Sequence, residues 1–407
     1  FHRKGGSGEN PQNGVIMEKE RILSELSDAY ARIFGAAPES YQKLNAGGSN
    51  RTYVRLSSDA GSAVASIGSV KAENKAFRYM SAHLAGQGLN VPAVLYTTRD
   101  GFGYLQQDLG DVTLADVLSG ESSAGRYGAA SKALLADVIS TLPDLQFKGA
   151  RGMDWRVCYP SAAFDARMIQ WDLSYFKYCF LKLTPADIDE VALQDDFDAL
   201  SASLLGVPCG CFMYRDFQSR NVMLCGDTPY FIDYQGARKG PAHYDLASFL
   251  WQARMNYPAA LKSQLTDVYL DAMQVYKDVD REAFRGQLCH FALFRTLQVL
   301  GAYGYRGLHE GKGHFLQSIP AGIRNFRELA TELRDDYPYL YKLARSLASD
   351  SGLMSVPQLE DGVLTVEVCS FSFKKGLPKD YSGNGGGYVF DCRALNNPGR
   401  YSRYNHS

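Results

Sequence analysis

Three polar residues in the middle of the chain have the types and the spacing that phosphoryl transfer requires. Asp216 precedes Asn221 by five positions, and Asp233 follows twelve positions later, beyond a turn at 226–227. In that chemistry one carboxylate orients and deprotonates the attacking hydroxyl, while an amide oxygen and a second carboxylate hold Mg²⁺ against the nucleotide phosphates. The alternative for any one of these residues is a cap or a turn, the usual role of Asp and Asn. The order of all three on a loop, a hairpin and a strand favours catalysis.

The elements around these residues divide the chain into a small β-rich part and a larger helical part. Apolar residues at helical spacing predict helices over 17–34 and 72–85. Period-two alternation predicts three strands, over 52–56, 63–67 and 104–109. Two long blocks have mostly helical periodicity, 112–205 and 244–346. The β-like segment 211–235, which carries the three polar residues, lies between these blocks.

Composition and charge are those of an ordinary globular protein. The 407 residues are 45% hydrophobic and 21% charged, which excludes a disordered chain. The 43 basic and 44 acidic residues give a net charge of −1, so no dominant attraction to nucleic acid or anionic lipid follows. Eight scattered cysteines without a C-x-x-C pair favour reduced thiols, and no apolar run is long enough for a membrane span. We therefore expect a cytoplasmic protein with no membrane partner and, for residues 17–350, no nucleic-acid partner.

The central segment resembles the catalytic motifs of the aminoglycoside phosphotransferase and choline kinase superfamily, the small-molecule relatives of protein kinases. The D-x-x-x-x-N spacing of Asp216 and Asn221 matches the kinase catalytic loop, and residues 232–236 (IDYQG) occupy the place of the metal-binding motif. Within the superfamily the chain resembles the bacterial kinases that phosphorylate the anomeric hydroxyl of N-acetylmuramate and N-acetylglucosamine. Four further segments carry that resemblance: 47–55, 107–114, 164–172 and 297–303 with 310–312.

This resemblance spans about residues 20 to 340 and implies a bilobal, protein-kinase-like α+β fold. The implied parts are a flexible leader (1–16), a β-rich N-lobe (17–109) and a helical C-lobe with the catalytic loop and substrate pocket (110–350). The resemblance also implies ATP and Mg²⁺ as cofactors and a small molecule as acceptor. Asp216 would be the base, and Asn221 and Asp233 would be the Mg²⁺ ligands.

On the nucleotide side, the resemblance implies a phosphate-covering loop, a helix glutamate and a hinge. Gly47 and Gly48 permit close approach of the backbone to phosphate oxygens, although two adjacent glycines fit any hairpin equally well. Glu73 would hold a phosphate-contacting cation in place, and the backbone of 106–108 would meet the adenine edge. The full set of implied nucleotide-binding residues is Gly47, Gly48, Ser49, Asn50, Arg55, Lys71, Glu73, Gln106, Gln107 and Asp108.

One kinase feature is missing from the sequence. Protein kinases carry a lysine on the strand before the glutamate helix, whereas here residues 63–67 read AVASI. The positive charge would come from Arg51, Arg55 or Lys71, with Arg55 and Lys71 ranked equally. Three residues would support the catalytic loop without doing chemistry: Tyr214, which stands where kinases have histidine, Arg215, and Asp245, a bracing acceptor for the loop backbone.

The acceptor pocket is expected to suit an amino sugar. A neutral sugar needs several convergent hydrogen bonds, whereas an aminoglycoside needs a strongly acidic cleft. The candidates are Asp172, Arg295, Gln298 and Tyr303. Arg295 would suit a carboxylate because a guanidinium binds both of its oxygens. The alternative is that Arg295 pairs with a helix carboxylate and that Asp172 lies at the surface. The acidic run 187–198 is interpreted as a solvated helix after a cap at residues 184–185.

The tail, residues 351–407, carries a second resemblance. Residues 364–376 and 389–398 are similar to the opening of the C-terminal domain of the RNase adapter protein family (RapZ). The resemblance implies an incomplete α/β domain in which Asp391, Arg393 and Asn397 would hold a sugar phosphate. An RNA or regulatory partner is implied only for a complete domain of this kind.

Three functions follow as hypotheses. The first is an ATP- and Mg²⁺-dependent kinase of N-acetylmuramate or N-acetylglucosamine, acting in cell-wall sugar recycling. The second is a nucleotide-binding regulator that does not turn over, favoured by the missing strand lysine and opposed by the intact catalytic residues. The third is an antibiotic kinase, which the absence of an acidic cluster around Arg295 disfavours.

Overall fold

The N-terminal part of the protein is an antiparallel sheet flanked by two helices. The structure is a computed structural model that describes residues 11–44, 51–226 and 228–355. Its first five strands are β1 (Ser40–Leu44), β2 (Thr52–Ser58), β3 (Gly61–Ile67), β4 (Val94–Thr97) and β5 (Gly103–Gln107). The helices are α1 (Pro11–Phe34) and α2 (Lys71–Gly86). The strands pair in the order β1-β2-β3-β5-β4, with every pair antiparallel.

Helix α1 covers one face of this sheet. Ile22, Leu26 and Tyr30 recur every four residues and therefore form one apolar stripe, which is buried in a cluster with strand residues such as Leu105. Gly35 has a φ of +79°, a conformation that favours glycine and ends the helix. The N-lobe thus has its own small core between α1 and the sheet.

Helix α2 packs on the opposite face and joins the two lobes. Successive strand residues point to opposite faces, so Tyr104 faces α2 where Leu105 faces α1. The Phe77 ring of α2 stacks on Tyr104, with centroids 4.8 Å apart, and on Tyr234 of the C-lobe at 5.0 Å. Ser81 Oγ shares a 2.6 Å hydrogen bond with the Tyr234 hydroxyl. The position of α2 is therefore fixed to both the sheet and the C-lobe.

The C-lobe is built mainly from helices that surround α10. Its helices are α3 (Leu114–Val117), α4 (Ser119–Ala124), α5 (Ala129–Ala150), α6 (Ala166–Cys179), α7 (Glu190–Leu205), α8 (His243–Leu250), α9 (Ala259–Met273), α10 (Arg281–Tyr303), α11 (Gly313–Leu316), α12 (Ile319–Glu332), α13 (Pro338–Ser349) and α14 (Ser351–Met354). Helix α10 packs against α6, α8 and α12, and its apolar residues from Phe291 to Leu300 are mostly buried. At Gly304, in the π-helical turn that follows, a Cβ would lie 2.1 Å from Cys179 O, so only glycine fits there.

Two short antiparallel pairs of strands hold the central polar segments. These strands are β6 (Cys211–Met213), β7 (Val222–Cys225), β8 (Thr228–Phe231) and β9 (Arg238–Gly240). Strand β6 pairs with β9, and β7 pairs with β8. Residues 214–221, hereafter the catalytic loop, connect β6 to β7, and residues 232–237 connect β8 to β9. Each polar segment is therefore held at both ends by one of these short strands.

The bilobal α+β fold predicted from the sequence is confirmed, with several differences in extent. Helix α1 begins at Pro11, so residues 11–16 of the predicted leader are helical. Strands β1 and β4 were not predicted. Strand β5 ends at Gln107 rather than at residue 109. Helix α14 lies beyond residue 350, and its Leu353 is buried in the C-lobe core, which therefore continues past the predicted boundary.

The acidic run at 187–198 differs from its predicted form. The helix begins at Glu190, and the Asp189 side chain accepts hydrogen bonds from the Val191 and Ala192 amides. The cap is therefore Asp189 rather than residues 184–185. Asp196 is buried and accepts from the Leu340 amide at 2.7 Å, so this face of the helix is packed rather than solvated.

Several predicted residues lie outside the described part of the chain. They are Gly47, Gly48, Ser49 and Asn50 of the phosphate-covering loop and Asp391, Arg393 and Asn397 of the tail. Among the helices of residues 11–44, 51–226 and 228–355, each is too short or too polar to cross a membrane.

Candidate active site

Asp216, Asn221 and Asp233 lie together where the two short pairs of strands meet. The side-chain amide of Asn221 donates to Asp216 O at 2.8 Å and approaches Asp233 Oδ2 at 3.5 Å. Strand β8 ends just before Asp233, and the catalytic loop ends in a 3₁₀ turn over Ser219–Asn221. The two carboxylates and the amide are thus fixed by elements that are paired to each other.

The backbone at this site is strained at two positions. Arg215 has a φ of +78° and Asp233 a φ of +69°, values that favour glycine. Each such residue costs about 1–3 kcal/mol, and surrounding interactions must hold it there. Arg215 directly precedes Asp216, and Asp233 is itself one of the predicted site residues. Both strained positions therefore lie in the two segments that carry Asp216 and Asp233.

The Asn221 and Asp233 side chains fit a divalent cation. Asn221 Nδ2 is the donor in both contacts, to Asp216 O and to Asp233 Oδ2, so neither of them uses its Oδ1. Asp233 Oδ1 accepts from Gln235 Nε2 at 2.7 Å, which fixes the carboxylate orientation. Burial and the adjacent charge of Asp216 raise the pKa of Asp233, and a cation would offset both effects. Amide and carboxylate oxygens are also the ligands that Mg²⁺ prefers.

Asp245, in the first turn of α8, braces the catalytic loop. Its carboxylate is fully buried and accepts from the backbone amides of Tyr214 and Arg215, both at 2.9 Å, and from Gln146 Nε2 at 3.2 Å. Burial raises the pKa of Asp245 to about 6, although these hydrogen bonds act in the opposite direction. The predicted bracing contact is thus present in the structure as two loop amides bound by one carboxylate.

Arg295 of α10 is paired with Asp216. Its Nη2 donates to Asp216 Oδ1 at 2.8 Å, its Nε donates to Ser248 Oγ at 3.1 Å, and its Nη1 donates to Gln298 Oε1. Burial alone would raise the pKa of Asp216, but the positive charges of Arg295, Arg215 and Arg220 hold it below the usual value. The guanidinium is thus directed at the catalytic loop, and its carboxylate partner belongs to that loop rather than to a helix.

Asp172 of α6 supports the loop from the other side. It is buried, not at the surface, and its Oδ1 accepts from Arg215 Nη2 at 3.1 Å. Burial raises the pKa of Asp172 despite the neighbouring arginine charges. Two buried carboxylates therefore hold Arg215, since Asp245 binds its amide and Asp172 its guanidinium.

Tyr214 connects the catalytic loop to the segment that carries Asp233. Its hydroxyl donates to the carbonyl of Ile232, the residue before Asp233. The Ile232 amide in turn donates to Asn221 O at 3.1 Å. The Tyr214 ring packs edge-on against Phe217 and Tyr234. The catalytic loop and the segment that carries Asp233 are therefore joined by two hydrogen bonds, both of them to the backbone of Ile232.

On the sheet side of the cleft, the residue opposite Asp233 is Arg51. It lies just before β2, its side chain is 3% exposed, and its Nη2 is 3.4 Å from Glu73 Oε1 on α2. Its Cγ lies over the end of β3, 3.3 Å from where a Gly68 Cβ would stand. Burial and Asp216 raise the pKa of Asp233, and Arg51 is among the cations that act against them. Arg51 thus pairs with the helix glutamate, and its charge also acts on Asp233.

The other two candidate cations, Arg55 and Lys71, contact other groups than Glu73. Arg55 forms ion pairs with Asp108 (2.7 Å) and Asp111 (2.8 Å) at the hinge. The Lys71 ammonium lies 5.0 Å from the centre of the Phe102 ring, beside the turn between β4 and β5. Neither shares the Arg51 position, because Arg55 lies four residues farther along the chain in β2 and Lys71 is directed at the turn between β4 and β5.

The predicted hinge lies at the end of β5. Gln106 and Gln107 pair with Val64 and Ala63 of β3, and the Gln107 amide donates to Ala93 O at 2.8 Å. The Asp108 carboxylate is turned towards Arg55, which leaves the backbone rather than this side chain for a ligand. The hinge is therefore the point where the inner strand β5 ends, and residues 106–108 are half-buried there.

A cavity of about 220 Å³, hereafter the inner cavity, lies beside the catalytic loop. Its lining includes Arg220, Trp251, Arg254, Arg295, Tyr303 and Phe315. Of the four predicted acceptor residues, Arg295 and Tyr303 line it, whereas Asp172 and Gln298 do not. The lining combines aromatic surface with positive charge.

Some residues of the site were not predicted. Gln252 Oε1 accepts from the amide and the hydroxyl of Ser219, at 2.9 and 2.8 Å, and so holds the catalytic loop. Arg220 and Arg254 line the inner cavity. Arg220 lies between Asp216 and Asn221, and Gln235 lies within residues 232–236, so both could have been recognised from the motifs that contain them. Gln252 and Arg254 lie thirty residues away with no spacing that signals them.

Fold and site together define a kinase-like phosphotransferase, and comparison with known families agrees. The phosphotransferase enzyme family (APH) matches residues 40–280, more than half of the chain. The chain therefore belongs to this family and is a small-molecule phosphotransferase. It is 26% identical over 311 residues to an N-acetylmuramate/N-acetylglucosamine kinase of Neisseria meningitidis serogroup B, covering 74% of this chain and 89% of that one. It is 27% identical over 282 residues to the kinase of the same name from Pseudomonas aeruginosa, covering 65% and 75%.

Solved structures share the fold at low sequence identity. Choline kinase LicA from Streptococcus pneumoniae superposes with a TM-score of 0.51 at 12% identity, covering 76% of this chain and 99% of that one. Plasmodium vivax ethanolamine kinase superposes with a TM-score of 0.50 at 14% identity, covering 73% and 84%. These similarities concern the fold alone.

Proposed function

We propose that this protein transfers the γ-phosphoryl group of ATP, with Mg²⁺, to an amino sugar, at the anomeric hydroxyl of N-acetylmuramate or N-acetylglucosamine. The observation that carries the transfer chemistry is the Asp216 carboxylate, held ionised by Arg295 beside the Asn221–Asp233 pair. The names of the relatives, together with the inner cavity, support the choice of acceptor.

The residues of this chain would act mainly by orientation. Asp216 accepts a hydrogen bond from the sugar hydroxyl, and the O–H proton passes to it as the new O–P bond forms and the bond from phosphorus to ADP breaks. A carboxylate with a lowered pKa is a weak base, which suits a loose transition state in which the proton moves late. Its pairing with Arg295 fixes the direction of attack before substrate arrives.

The nucleotide would lie between the sheet and the catalytic loop. Asn221 and Asp233 would hold Mg²⁺, which neutralises charge on the phosphates. Arg51, held by Glu73, would contact the phosphates in place of the strand lysine. Adenine would meet the backbone of 106–108, and residues 47–50 would cover the phosphates.

The inner cavity would hold the acceptor. Its aromatic residues offer the flat surface that sugar rings stack on, and its arginines repel a polycationic aminoglycoside. Because Arg295 is engaged by Asp216 and Ser248, and Arg254 by Ser318 and the 314–317 segment, a lactyl carboxylate would bind Arg220 instead. This charge favours an amino sugar over an antibiotic as acceptor.

The test is ATP- and Mg²⁺-dependent ADP release across N-acetylmuramate, N-acetylglucosamine, glucosamine, choline and kanamycin. We expect turnover with an N-acetyl sugar and a product whose anomeric carbon couples to phosphorus in NMR. Asp216→Asn should lower kcat by about 1,000-fold while ADP binding survives.

Asp335→Asn is the matched control, because Asp335 is 92% exposed in the same lobe. Unchanged kcat in Asp216→Asn would remove Asp216 from the reaction. Tight ATP binding without turnover of any acceptor would favour the nucleotide-binding regulator, and preference for kanamycin would favour the antibiotic kinase.

A further inference from the structure

A second cavity of about 430 Å³, hereafter the outer cavity, lies between residues 250–257, the start of α9 and one face of α12. Gln252, Ala253 and Asn325 line both this cavity and the inner one. These three residues therefore form a wall between the two spaces. The volume falls within the range of small-molecule sites.

The outer cavity is positively charged. Lys262, Arg324 and Arg327 line it, against one acidic residue, Glu328. Within the described part of the chain, neither Arg324 nor Arg327 makes an ion pair. Three cations against one carboxylate leave an excess of positive charge, which an anionic ligand would balance.

Lys262 is a buried cation with a weak partner. Its side chain is 10% exposed, and its Nζ is 3.4 Å from Oε1 of Glu328, whose side chain is 56% exposed. The ammonium also lies 5.0 Å from the centre of the Trp251 ring. A nearly buried charge is costly unless it is closely paired, and the one carboxylate beside this lysine is mostly exposed, so an anion in the cavity would add to its pairing.

The wall between the cavities is connected to the catalytic loop. Gln252 accepts two hydrogen bonds from Ser219, which lies between Asp216 and Asn221. Asn325 Nδ2 donates to Trp251 O at 2.9 Å and so ties α12 to the same segment. A ligand that contacts Gln252 and Asn325 would hold this segment, and through it the loop.

We infer that the outer cavity binds a small molecule bearing a phosphate or carboxylate group, separate from the phosphoryl donor and acceptor. The anion binds Lys262 and Arg327, and the neutral part contacts Asn256 and Gln252. Bound ligand fixes the 251–256 segment and thereby raises kcat.

The test uses glucose 6-phosphate and inorganic phosphate as probes, with Trp251 as the reporter. The chain has three tryptophans, so the signal is assigned by its loss in Trp251→Phe. We expect a saturable fluorescence change with either probe, no change with glucose, and no change with NaCl at matched ionic strength. Lys262→Met and Arg327→Gln should each weaken binding by about tenfold.

Arg51→Met is the matched control, because it removes a cation from the nucleotide side and should leave the Trp251 response unchanged. Arg327 is exposed, so its variant keeps the test valid if Lys262→Met fails to fold. A response that survives both cavity variants, or that disappears only in Arg51→Met, would overturn the site. Binding without a rise in kcat would overturn the coupling. Because fluorescence needs no turnover, failure of the proposed function would leave the binding result intact.

Discussion

The two walls of the cleft hold their charged residues in different ways. On the helical side, Asp245 accepts from three donors, and Asp216 is held at 2.8 Å by an arginine that is itself bound to Ser248. On the sheet side, Arg51 stands 3.4 Å from Glu73, whose side chain is one-third exposed (33%). The charged residues of the catalytic loop are thus held by several close hydrogen bonds. The Arg51–Glu73 ion pair on the sheet side is longer, and its carboxylate is partly exposed.

Of the residues that position the catalytic groups, Arg295 on the helical side should have the largest effect on kcat when it is replaced. Arg295→Met removes the partner of Asp216 and leaves its carboxylate facing apolar atoms. We expect kcat to fall by about 100-fold, because the carboxylate loses its orientation. The free energy of unfolding should fall by less than the roughly 3–5 kcal/mol of a fully buried pair, since Asp216 is 37% exposed.

Steady-state kinetics and thermal melting of Arg295→Met check this prediction. Arg295→Lys is the control, because it keeps the charge but loses the fork that binds Asp216 and Ser248 together. Its kcat should lie between those of wild type and Arg295→Met. Wild-type kcat in Arg295→Met would show that the pair does not position the base.

On the sheet side, Arg51→Met should act through the nucleotide. Loss of a phosphate-contacting cation should lower kcat/KM for ATP by about 30-fold, with little change in melting temperature. Arg55→Gln is the matched control from the same strand, since Arg55 is bound to Asp108 and Asp111 at the hinge. It should leave kcat/KM for ATP within about twofold of wild type. Equal losses in the two variants would assign no special role to Arg51.

The choice between Arg51 and Arg55 illustrates where sequence reasoning ends. Residues two apart on a strand share a face, so alternation predicts that both arginines point the same way. Which of them meets Glu73 depends on how α2 crosses the sheet, and that is set by packing of Phe77 between Tyr104 and Tyr234. The partner of Arg295 could not be predicted for the same reason. Its helix is visible in the sequence, but Asp216 lies 79 residues away, and only the packing of the C-lobe brings the two together.

The strands show the same limit at the level of the fold. Strands β2 and β3 were predicted from short runs that include apolar residues, and the structure buries alternate residues in the middle of β2 and all of residues 63–67 in β3. All but the last residue of β1 are exposed, and β4 has four residues with a register shift between Val94 and Tyr96. Edge strands of this kind carry no period-two signal. The catalytic spacing, in contrast, is local to one loop and one hairpin, and could be recognised directly.

The braced side of the cleft should also have its own pH dependence. Burial raises the pKa of Asp245 to about 6, so lowering the pH from 7 to 5 protonates it in the folded protein. The neutral acid accepts more weakly than the carboxylate from Tyr214 and Arg215, most of all at the oxygen that carries the proton, and kcat should therefore fall with an apparent pKa near 6. Asp245→Asn should have a lower kcat at pH 7 but lack this acidic limb.

Stability should change in the opposite direction. Because the folded pKa of Asp245 lies above its usual value of 3.8, the folded state binds more protons than the unfolded state between pH 4 and 6. Relative to Asp245→Asn, wild type should gain melting temperature as the pH falls from 7 towards 4. A kcat limb that persists in Asp245→Asn would assign it to another group, such as Asp233, whose pKa is also raised.

The smallest effect on kcat is expected at Tyr214. Removing its hydroxyl tests the single hydrogen bond to Ile232 O without changing how the ring packs. Tyr214→Phe keeps the ring contacts with Phe217 and Tyr234 but removes the donor to Ile232 O. One such bond contributes about 1 kcal/mol, and Ile232 keeps its amide bond to Asn221, so kcat should fall by about fivefold at most.

Tyr234→Phe is the matched comparison, because it also removes one buried tyrosine hydroxyl, the one bonded to Ser81 of α2. The two variants should lose similar melting temperature, since each loses one buried hydrogen bond. Only Tyr214→Phe should lower kcat, because its bond joins the loop of Asp216 to the backbone of Asp233, whereas the Tyr234 bond joins the lobes. Equal kcat in the two variants would mean that the other contacts of the catalytic loop position it without the bond from Tyr214 to Ile232 O.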